Sequence, residues 1–120
     1  MLKSQRRAPK SGKVRSMVIF VHGYGADGAD LLGLADPLAP HLPDTVFYSP
    51  DAPELCANNP FGFQWFPIPW LDGSTEEQAR ASMAVSVDKL NAFIDDKLTD
   101  ENLEPEALAL VWELTQGQPW

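Results

Sequence analysis

The sequence predicts an α/β fold in which about three parallel strands form a sheet with helices on both faces. Three short runs have the composition of buried strands, at residues 17–21, 45–49 and 107–111. The segments between them have helical spacing, and strands that alternate with helices form parallel units with right-handed connections. The 120 residues are 44% apolar, which is enough to pack the core of one small domain.

A basic leader precedes the first strand. Residues 1–16 hold six of the nine lysine and arginine residues, whereas the whole chain has a net charge of −8. Because the leader is polar and contains proline and serine, we expect it to be flexible and solvated. The acidic charge of the chain argues against nucleic acid as a partner.

The sequence carries no recognisable export or membrane signal. The leader is followed by only five apolar residues before His22, which is too few for a secretory signal or a bilayer-spanning segment. The single cysteine, Cys56, cannot form an internal disulfide, and this fits a reducing compartment. We therefore expect a cytoplasmic protein without a transmembrane segment.

Two helical segments connect the strands. Residues 30–42 have helical spacing but contain Pro37 and Pro40, so the first helix should be short or kinked. The second helix begins with Ser74 and Glu77 at the spacing of a capping box. Its apolar stripe, which should face the core, consists of Ala79, Met83, Val87, Leu90, Ile94 and Leu98.

Residues 50–73 are rich in proline and aromatic side chains, so no long regular element is expected there. A loop of this length inside a compact domain is usually functional. Its aromatic side chains either cap one end of the sheet or line a pocket for an acyl or alcohol group, with Gln64 as a polar orienting group. These aromatic residues are Phe61, Phe63, Trp65, Phe66 and Trp70.

The first strand runs into a glycine-rich turn, GYGADG at residues 23–28, that allows two interpretations. A G-x-G-x-x-G pattern between a strand and a helix is typical of a dinucleotide-binding βαβ module, and Asp51 follows the second strand as a candidate ribose ligand. Asp27 and Asp30 weaken this interpretation, because they place negative charge where a pyrophosphate would bind.

The alternative is an oxyanion loop. In such a loop, backbone N–H groups after the first strand stabilise the negative charge of a tetrahedral intermediate. The natural donor here is the N–H of Tyr24, and Gly23 and Gly25 on either side leave the backbone free to turn sharply.

Three segments together resemble a known enzyme family. They are HGYGADGADLLGLADPLAPHLP from His22, SPDAPE from Ser49 and FGFQWFPIPWLDG from Phe61. In this order they resemble the bacterial carboxylesterase and acyl-protein thioesterase branch of the α/β-hydrolases, often called the phospholipase/carboxylesterase group. The resemblance covers most of residues 17–111, and the chain looks like the N-terminal half of such an enzyme.

The resemblance implies a three-layer α/β-hydrolase fold, truncated after its third strand, with the first strand between the other two. It also implies a serine hydrolase of carboxylic esters or thioesters that needs no cofactor. The implied site residues are an oxyanion loop of Gly23, Tyr24, Gly25 and Gln116 and a substrate pocket of Phe63, Gln64, Trp65 and Phe66.

Residues 112–120 stand in place of the nucleophile elbow that the resemblance implies. An elbow has the pattern Gly-x-Ser-x-Gly on a sharp strand-to-helix turn, whereas this chain reads WELTQG from Trp112. Thr115 then takes the nucleophile position and Glu113 that of the first glycine. Both changes are unfavourable, because a β-branched residue resists positive φ and glutamate adds bulk where helix and strand approach.

The other members of a catalytic triad are not evident in the sequence. The acid and the histidine of such hydrolases follow the nucleophile, but the two histidines here, His22 and His41, precede it. His22 is better suited to fixing the glycine turn by hydrogen bonds, and His41 suits the end of the first helix. No grouping of side chains has the spacing of a metal site.

We therefore expect the 120-residue chain to be inactive on its own. The alternatives are a non-catalytic remnant and a half-domain that works beside a second chain. The partner of a completed site would be a small ester or thioester. We also expect self-association through the strand from Ala107 to Val111, because it would form an exposed apolar edge that recruits other chains.

Overall fold

The computed structural model describes residues 1–56 and 59–112. Its elements in chain order are β1 (Ser4–Arg7), β2 (Ser16–Val21), α1 (Gly28–Leu32), α2 (Ala35–Leu38), β3 (Thr45–Pro50), β4 (Glu54–Cys56), β5 (Asn59–Gln64), α3 (Pro69–Asp72), α4 (Glu76–Asp100) and β6 (Leu108–Trp112). Short 3₁₀ turns at Ala39–His41 and Pro105–Ala107 precede β3 and β6.

Four strands form the main sheet, in the order β1-β3-β2-β6. β2 lies between β3 and β6 and is parallel to both, with Val18 opposite Phe47 and Ile19 opposite Leu110. The predicted parallel sheet, with the first predicted strand in the middle, is therefore confirmed. β1 adds a further strand that is antiparallel to β3.

The prediction of a flexible leader is wrong for Ser4–Arg7. These residues form β1, in which Arg6 lies opposite Tyr48. The backbone pairing continues beyond the strand, since Asp51 N–H donates to Lys3 O at 2.7 Å. An edge strand can be polar throughout, so it lacks the apolar pattern by which strands are recognised in a sequence.

Helices cover both faces of the sheet, as predicted. α1 and α2 pack on one face, in a buried cluster of Val18, Phe20, Leu31, Leu32, Ala35, Ala39 and Phe47. α4 packs on the other face, in a cluster that includes Met17, Ile19, Val21, Val46, Tyr48, Leu90, Phe93 and Leu98. Successive residues of a strand point to opposite faces, so the continuous apolar run of β2 matches a strand covered on both sides.

The helical segment after β2 is broken, as its prolines predict. α1 and α2 are one turn each, and Pro40 lies in the 3₁₀ turn that follows. Asp27 caps α1, because its Oδ1 accepts the Asp30 N–H at 2.9 Å.

The cap of α4 lies one residue later than predicted. Thr75 Oγ1 accepts the Gln78 N–H at 3.0 Å, and Gln78 Oε1 accepts the Thr75 N–H at 2.8 Å, so these two residues form the capping box instead of Ser74 and Glu77. The Ser74 hydroxyl is already engaged, since it donates to Asp72 Oδ1 at 2.5 Å.

The buried face of α4 also differs from the predicted stripe. Ser86, Leu90 and Phe93 are buried, whereas Met83 and Val87 are 43% and 51% exposed. The buried face differs from the predicted one because Ser86 lies against the segment after β5. Its hydroxyl donates to the backbone carbonyl of Trp65 in that segment. In the described part of the chain no helix, α4 included, is long and apolar enough to cross a bilayer.

Residues 50–73 contain more regular structure than predicted. β4 and β5 form an antiparallel hairpin in which Glu54 lies opposite Gln64, and α3 follows as a single turn. The hairpin register shifts between Leu55 and Cys56. A short strand pair that is interrupted by an irregular register carries no clean alternating pattern, which explains the difference.

The start of α1 packs directly against the end of β3. Ser49 Oγ donates to Gly28 O at 2.6 Å, and Asp51 Oδ1 accepts the Gly28 N–H at 2.7 Å. A Cβ atom at Gly28 would lie 2.3 Å from Ser49 O. Only glycine fits this contact without a shift of the backbone.

We predict that Gly28→Ala lowers the free energy of unfolding by about 1–3 kcal/mol or more, because the new methyl group meets backbone atoms that cannot move aside. Gly33→Ala is the matched control, since its Cβ would lie 3.8 Å from the nearest atom, Asp30 O. Urea denaturation followed by circular dichroism measures both variants. Equal effects of the two substitutions would contradict the assigned contact.

A charged cluster ties β1 to the end of α4. Arg6 Nε donates to Glu101 Oε2 at 2.9 Å and Arg6 Nη2 to Oε1 at 3.2 Å, while the Tyr48 hydroxyl donates to the same carboxylate. The Arg6 hydrogen bond holds the pKa of Glu101 below its ordinary value, against the opposing effect of burial. Burial, aided by the Glu101 carboxylate, raises the pKa of Tyr48 to about 12.

We predict that Glu101→Gln destabilises the fold at neutral pH by about 1 kcal/mol, a value kept small by solvent around the half-exposed Arg6. A carboxylate with a lowered pKa stabilises the fold above its unfolded-state pKa and loses this effect as the pH falls through its folded-state pKa. The difference from the parent chain should therefore shrink below about pH 4.5, the ordinary glutamate value. Urea denaturation of both chains across pH 3–7, roughly the range that spans this titration, measures the difference in free energy of unfolding. The exposed Glu106→Gln is the control. A pH-independent difference would contradict the assignment.

Candidate functional site

The chain leaves β2 through a tight glycine turn. Ala26 N–H donates to Gly23 O at 3.2 Å, and Gly25 has a φ of 82°, a left-handed conformation that favours glycine. The turn also pairs with β5, because Gly25 N–H donates to Phe63 O and Phe63 N–H donates to Ala26 O, both at 2.9 Å. Backbone hydrogen bonds thus join the predicted oxyanion loop to the predicted pocket segment.

The buried His22 holds this turn in place. Its Nε2 accepts the Ala52 N–H at 3.0 Å, so in the neutral ring the proton lies on Nδ1 and is donated to Gly23 O, 2.7 Å away. Trp65 Nε1 donates to His22 O at 2.8 Å, and the two ring centroids lie 5.4 Å apart. Both ring nitrogens are engaged in fixing the turn, as expected from the sequence.

The Tyr24 side chain is anchored at its hydroxyl, which donates to Asp72 Oδ2 at 3.1 Å. Asp72 also accepts the N–H groups of Ile68 at 2.9 Å and Ser74 at 3.0 Å. Burial acts to raise the pKa of Asp72, but the hydrogen bonds from Ser74, Ile68 and Tyr24 outweigh it and lower that pKa. Burial, and then Asp72, raise the pKa of Tyr24. The phenol therefore stays protonated at neutral pH and continues to donate.

Cys56 packs against this anchored tyrosine. Burial raises the pKa of its thiol, and hydrogen bonds with Gly25 and Tyr24 oppose this only in part. A nucleophilic cysteine needs a lowered pKa, so the structure gives Cys56 a packing role.

The predicted pocket residues Phe63, Trp65 and Phe66 are close together in sequence, but only Trp65 and Phe66 line the same crevice. Trp65 is buried, and the two phenylalanines are partly buried against the same core cluster. Trp65 and Phe66 line a crevice with Tyr24 and Ile68. The volume of this crevice is about 10 Å³, which is comparable to the space for a single water molecule. These residues form a wall beside the turn, but they do not enclose a chamber for an acyl chain.

Gln64, the fourth predicted pocket residue, is buried and belongs to a partly buried group of hydrogen-bonded polar side chains. Its Nε2 donates to Glu54 Oε1 at 2.9 Å, and Ser82 Oγ donates to Glu54 Oε2 at 2.7 Å. The amide orientation is fixed, because the reverse orientation would set its oxygen against the carboxylate. Within the described residues Gln64 Oε1 has no hydrogen-bond partner, so it is able to accept a hydrogen bond.

β2 and β6 end side by side, with Val21 opposite Trp112. The turn and the chain after β6 therefore start from adjacent points at the carboxyl edge of the sheet, where open α/β sheets bind ligands. The predicted nucleophile position Thr115 and the predicted donor Gln116 lie outside the described residues. His41 lies before the start of β3, toward the opposite edge of the sheet.

Carboxylates occupy the start of the helix after the turn. Asp27 Oδ1 accepts the Asp30 N–H, and Asp51 Oδ1 accepts the Gly28 N–H. A pyrophosphate would need such N–H groups for itself, so the structure disfavours the dinucleotide interpretation. Among residues 1–56 and 59–112, no group of three or more His, Cys, Asp or Glu side chains is placed to hold a metal ion.

Two residues of this site were not expected from the sequence. Asp72 anchors Tyr24, and Ser86 donates to Trp65 O and so fixes the aromatic wall to α4. Asp72 could have been found, because the run Asp-Gly-Ser at residues 72–74 is a common signal for a helix end and a turn. Ser86 carried no signal, since a serine within a helix normally faces solvent.

A sheet whose inner strands are parallel and covered on both faces, with a glycine turn at the carboxyl end of β2, is the arrangement expected for the first half of an α/β-hydrolase fold. A family model described as Phospholipase/Carboxylesterase matches residues 4–111. Since the match covers most of the chain, the chain belongs to the phospholipase/carboxylesterase family.

Solved structures agree with this assignment. The crystal structure of esterase PE8 is 36% identical to the chain, with a TM-score of 0.82, over 92% of this chain and 51% of the esterase. A structure of YahD with malic acid is 18% identical, with a TM-score of 0.65, over 93% of this chain and 51% of YahD. Acyl-protein thioesterase 2 of Zea mays is 23% identical, with a TM-score of 0.54, over 93% of this chain and 45% of the thioesterase. The similarity to YahD and to the thioesterase concerns the fold alone. The chain spans about half the length of each of the three proteins.

Proposed function

We propose that this chain contributes the oxyanion loop and one wall of the acyl site to a serine hydrolase of carboxylic esters or thioesters. The observation that carries the proposal is the backbone pairing of the turn with β5, in which Gly25 and Ala26 bond to Phe63. This pairing holds a glycine turn and an aromatic wall together at the carboxyl edge of the sheet. Membership of the phospholipase/carboxylesterase family supports the choice of reaction.

Ester hydrolysis by this route forms a tetrahedral intermediate whose oxygen carries a negative charge. Fixed N–H donors lower the barrier because they are already oriented when the charge develops. We assign one donor to the N–H of Tyr24, whose side chain is anchored to Asp72. The family pattern assigns the nucleophile position to Thr115 and a second donor to Gln116, the next residue.

The aromatic wall would then contact the acyl or alcohol part of the substrate. Trp65 is fixed on both sides, since its ring N–H donates to His22 O and its own carbonyl accepts the Ser86 hydroxyl. Gln64, whose amide is held by Glu54, remains the polar group that we assign to this segment by the family resemblance. Substrate pockets combine apolar walls with a few polar groups in this way.

We predict that the 120-residue chain alone does not hydrolyse short-chain nitrophenyl esters. Its sequence contains no Gly-x-Ser-x-Gly motif, and both ring nitrogens of His22 are engaged in hydrogen bonds. The measurement is an initial rate with nitrophenyl acetate and butyrate, beside buffer and an unrelated protein, with Thr115→Ala in parallel. A rate well above both controls that Thr115→Ala abolishes would make Thr115 a nucleophile and refute this prediction.

The alternative is a non-catalytic remnant or a half-domain that works beside a second chain. The observation that favours an association is the edge strand β6, which pairs with β2 on one side within the described sheet. Its side chains Leu110 and Trp112 are 38% and 58% exposed. An apolar edge with unpaired backbone groups is a template for another strand. We therefore also propose self-association through this strand. A cytoplasmic location stays a prediction, supported by the lone cysteine.

Light scattering coupled to size-exclusion chromatography tests the association. The parent chain should have a mass above that of a monomer, and the mass should rise with protein concentration. Leu110→Lys should return it to a monomer, because a charge at the edge opposes strand pairing. Leu42→Lys is the matched control, since Leu42 is 39% exposed and lies before β3. A parent chain that stays monomeric at high concentration would contradict the proposal.

A further inference from the structure

A groove separate from the crevice at the glycine turn lies between the N-terminus, the segment after β3 and α4. It has a volume of about 350 Å³ and shares no lining residue with that crevice. Its apolar lining comes from Met1, Leu2, Ala52, Pro53, Phe63 and Ala92. Small-molecule sites begin at about this size, so the groove has room for a ligand.

The walls of the groove are held by hydrogen bonds. Asp51 N–H donates to Lys3 O at 2.7 Å, which fixes the N-terminal wall to the end of β3. Ala52 N–H donates to the buried His22 Nε2 at 3.0 Å, which fixes the floor. Phe63 is held by its backbone bonds to the glycine turn. The groove is thus largely formed before a ligand arrives, which lowers the entropic cost of binding.

The charged residues of the groove are Lys3, Lys89 and Asp51. Five of the nine cationic side chains form ion pairs, namely those of Arg6, Arg7, Arg15, Arg80 and Lys97. Neither Lys3 nor Lys89 has such a pair among the described residues, although the chain is strongly acidic. Asp51 is already engaged, because its Oδ1 accepts the Gly28 N–H. The side chains that line the groove carry two positive charges against the one negative charge of Asp51, and this net positive charge beside an apolar trough complements a ligand with an anionic head and an apolar tail.

We propose that this groove binds a carboxylate that carries a linear alkyl chain, such as a medium-chain fatty acid. The alkyl chain lies against Ala52, Phe63 and Ala92, and the carboxylate lies between the ammonium groups of Lys3 and Lys89. The site does not use the N–H donors of the oxyanion turn, although the backbone of Phe63 is hydrogen-bonded to that turn. It needs only the residues that line the groove.

Titration calorimetry with octanoate on the whole chain at low salt is the first test. We expect saturable binding that weakens with added salt, since exposed charges are screened. Octanol, which has the same chain and no charge, should bind more weakly, and acetate should not bind. No saturation by octanoate in the millimolar range, or equal binding of octanoate and octanol, would overturn the proposal.

Two pairs of variants locate the site. Lys89→Gln and Lys3→Gln should each weaken octanoate binding about threefold, as expected for a partly exposed charge pair, whereas Lys13→Gln should leave it unchanged. Ala92→Phe should abolish binding because it fills the groove, while Ala84→Phe, at another exposed position on α4, should not. Binding that survives Ala92→Phe, or that Lys13→Gln weakens as much as Lys89→Gln, would place the ligand elsewhere and refute the proposal.

Discussion

The buried His22 is the residue on which the geometry of the candidate site depends. It follows the middle strand of the sheet and links three segments that are distant in sequence: the glycine turn, the end of β3 and the aromatic segment after β5. The link to Ala52 requires Nε2 to accept and so leaves the proton of the neutral ring on Nδ1, whereas the link to Trp65 uses the backbone carbonyl of His22. A buried polar network of this kind is stable only when all its members are satisfied. Loss of the His22 ring would leave the turn joined to β5 by the backbone hydrogen bonds of Gly25 and Ala26 with Phe63.

The parts of the fold that were predictable are those that bury a continuous surface. β2 and β3 are covered on both faces, so most of their residues are apolar, β-branched or aromatic and the strands can be recognised from composition. β1 could not be found in this way, because its binding energy comes from backbone pairing and from the contact of Arg6 with Glu101, 95 residues later in the chain. The β4–β5 hairpin was hidden for a related reason, since its pairing is short and irregular.

In the candidate site, too, some features were predictable from the sequence and others were not. The glycine turn was predictable because a positive φ at Gly25 restricts the residue type. The role of each aromatic residue was not predictable, because composition cannot distinguish a ring that lines a cavity from one that packs against a histidine. Trp65 does both, since it packs against His22 and also lines the crevice at the turn. Neither the tether from Tyr24 to Asp72 nor the one from Ser86 to the Trp65 carbonyl is local in sequence. Such contacts are created by the fold, so they become visible only when the elements are assembled.

The two edges of the sheet differ in chemistry. β1 presents serine, glutamine and two arginines in largely exposed positions, and charged side chains on an edge strand discourage further pairing. β6 presents leucine, valine and tryptophan. An open filament requires each subunit to pair at both edges of its sheet. A subunit in which only one edge can accept a further strand does not meet this requirement. If copies associate through β6 as proposed, the polar β1 edge therefore favours a closed pair in which each copy uses the same surface.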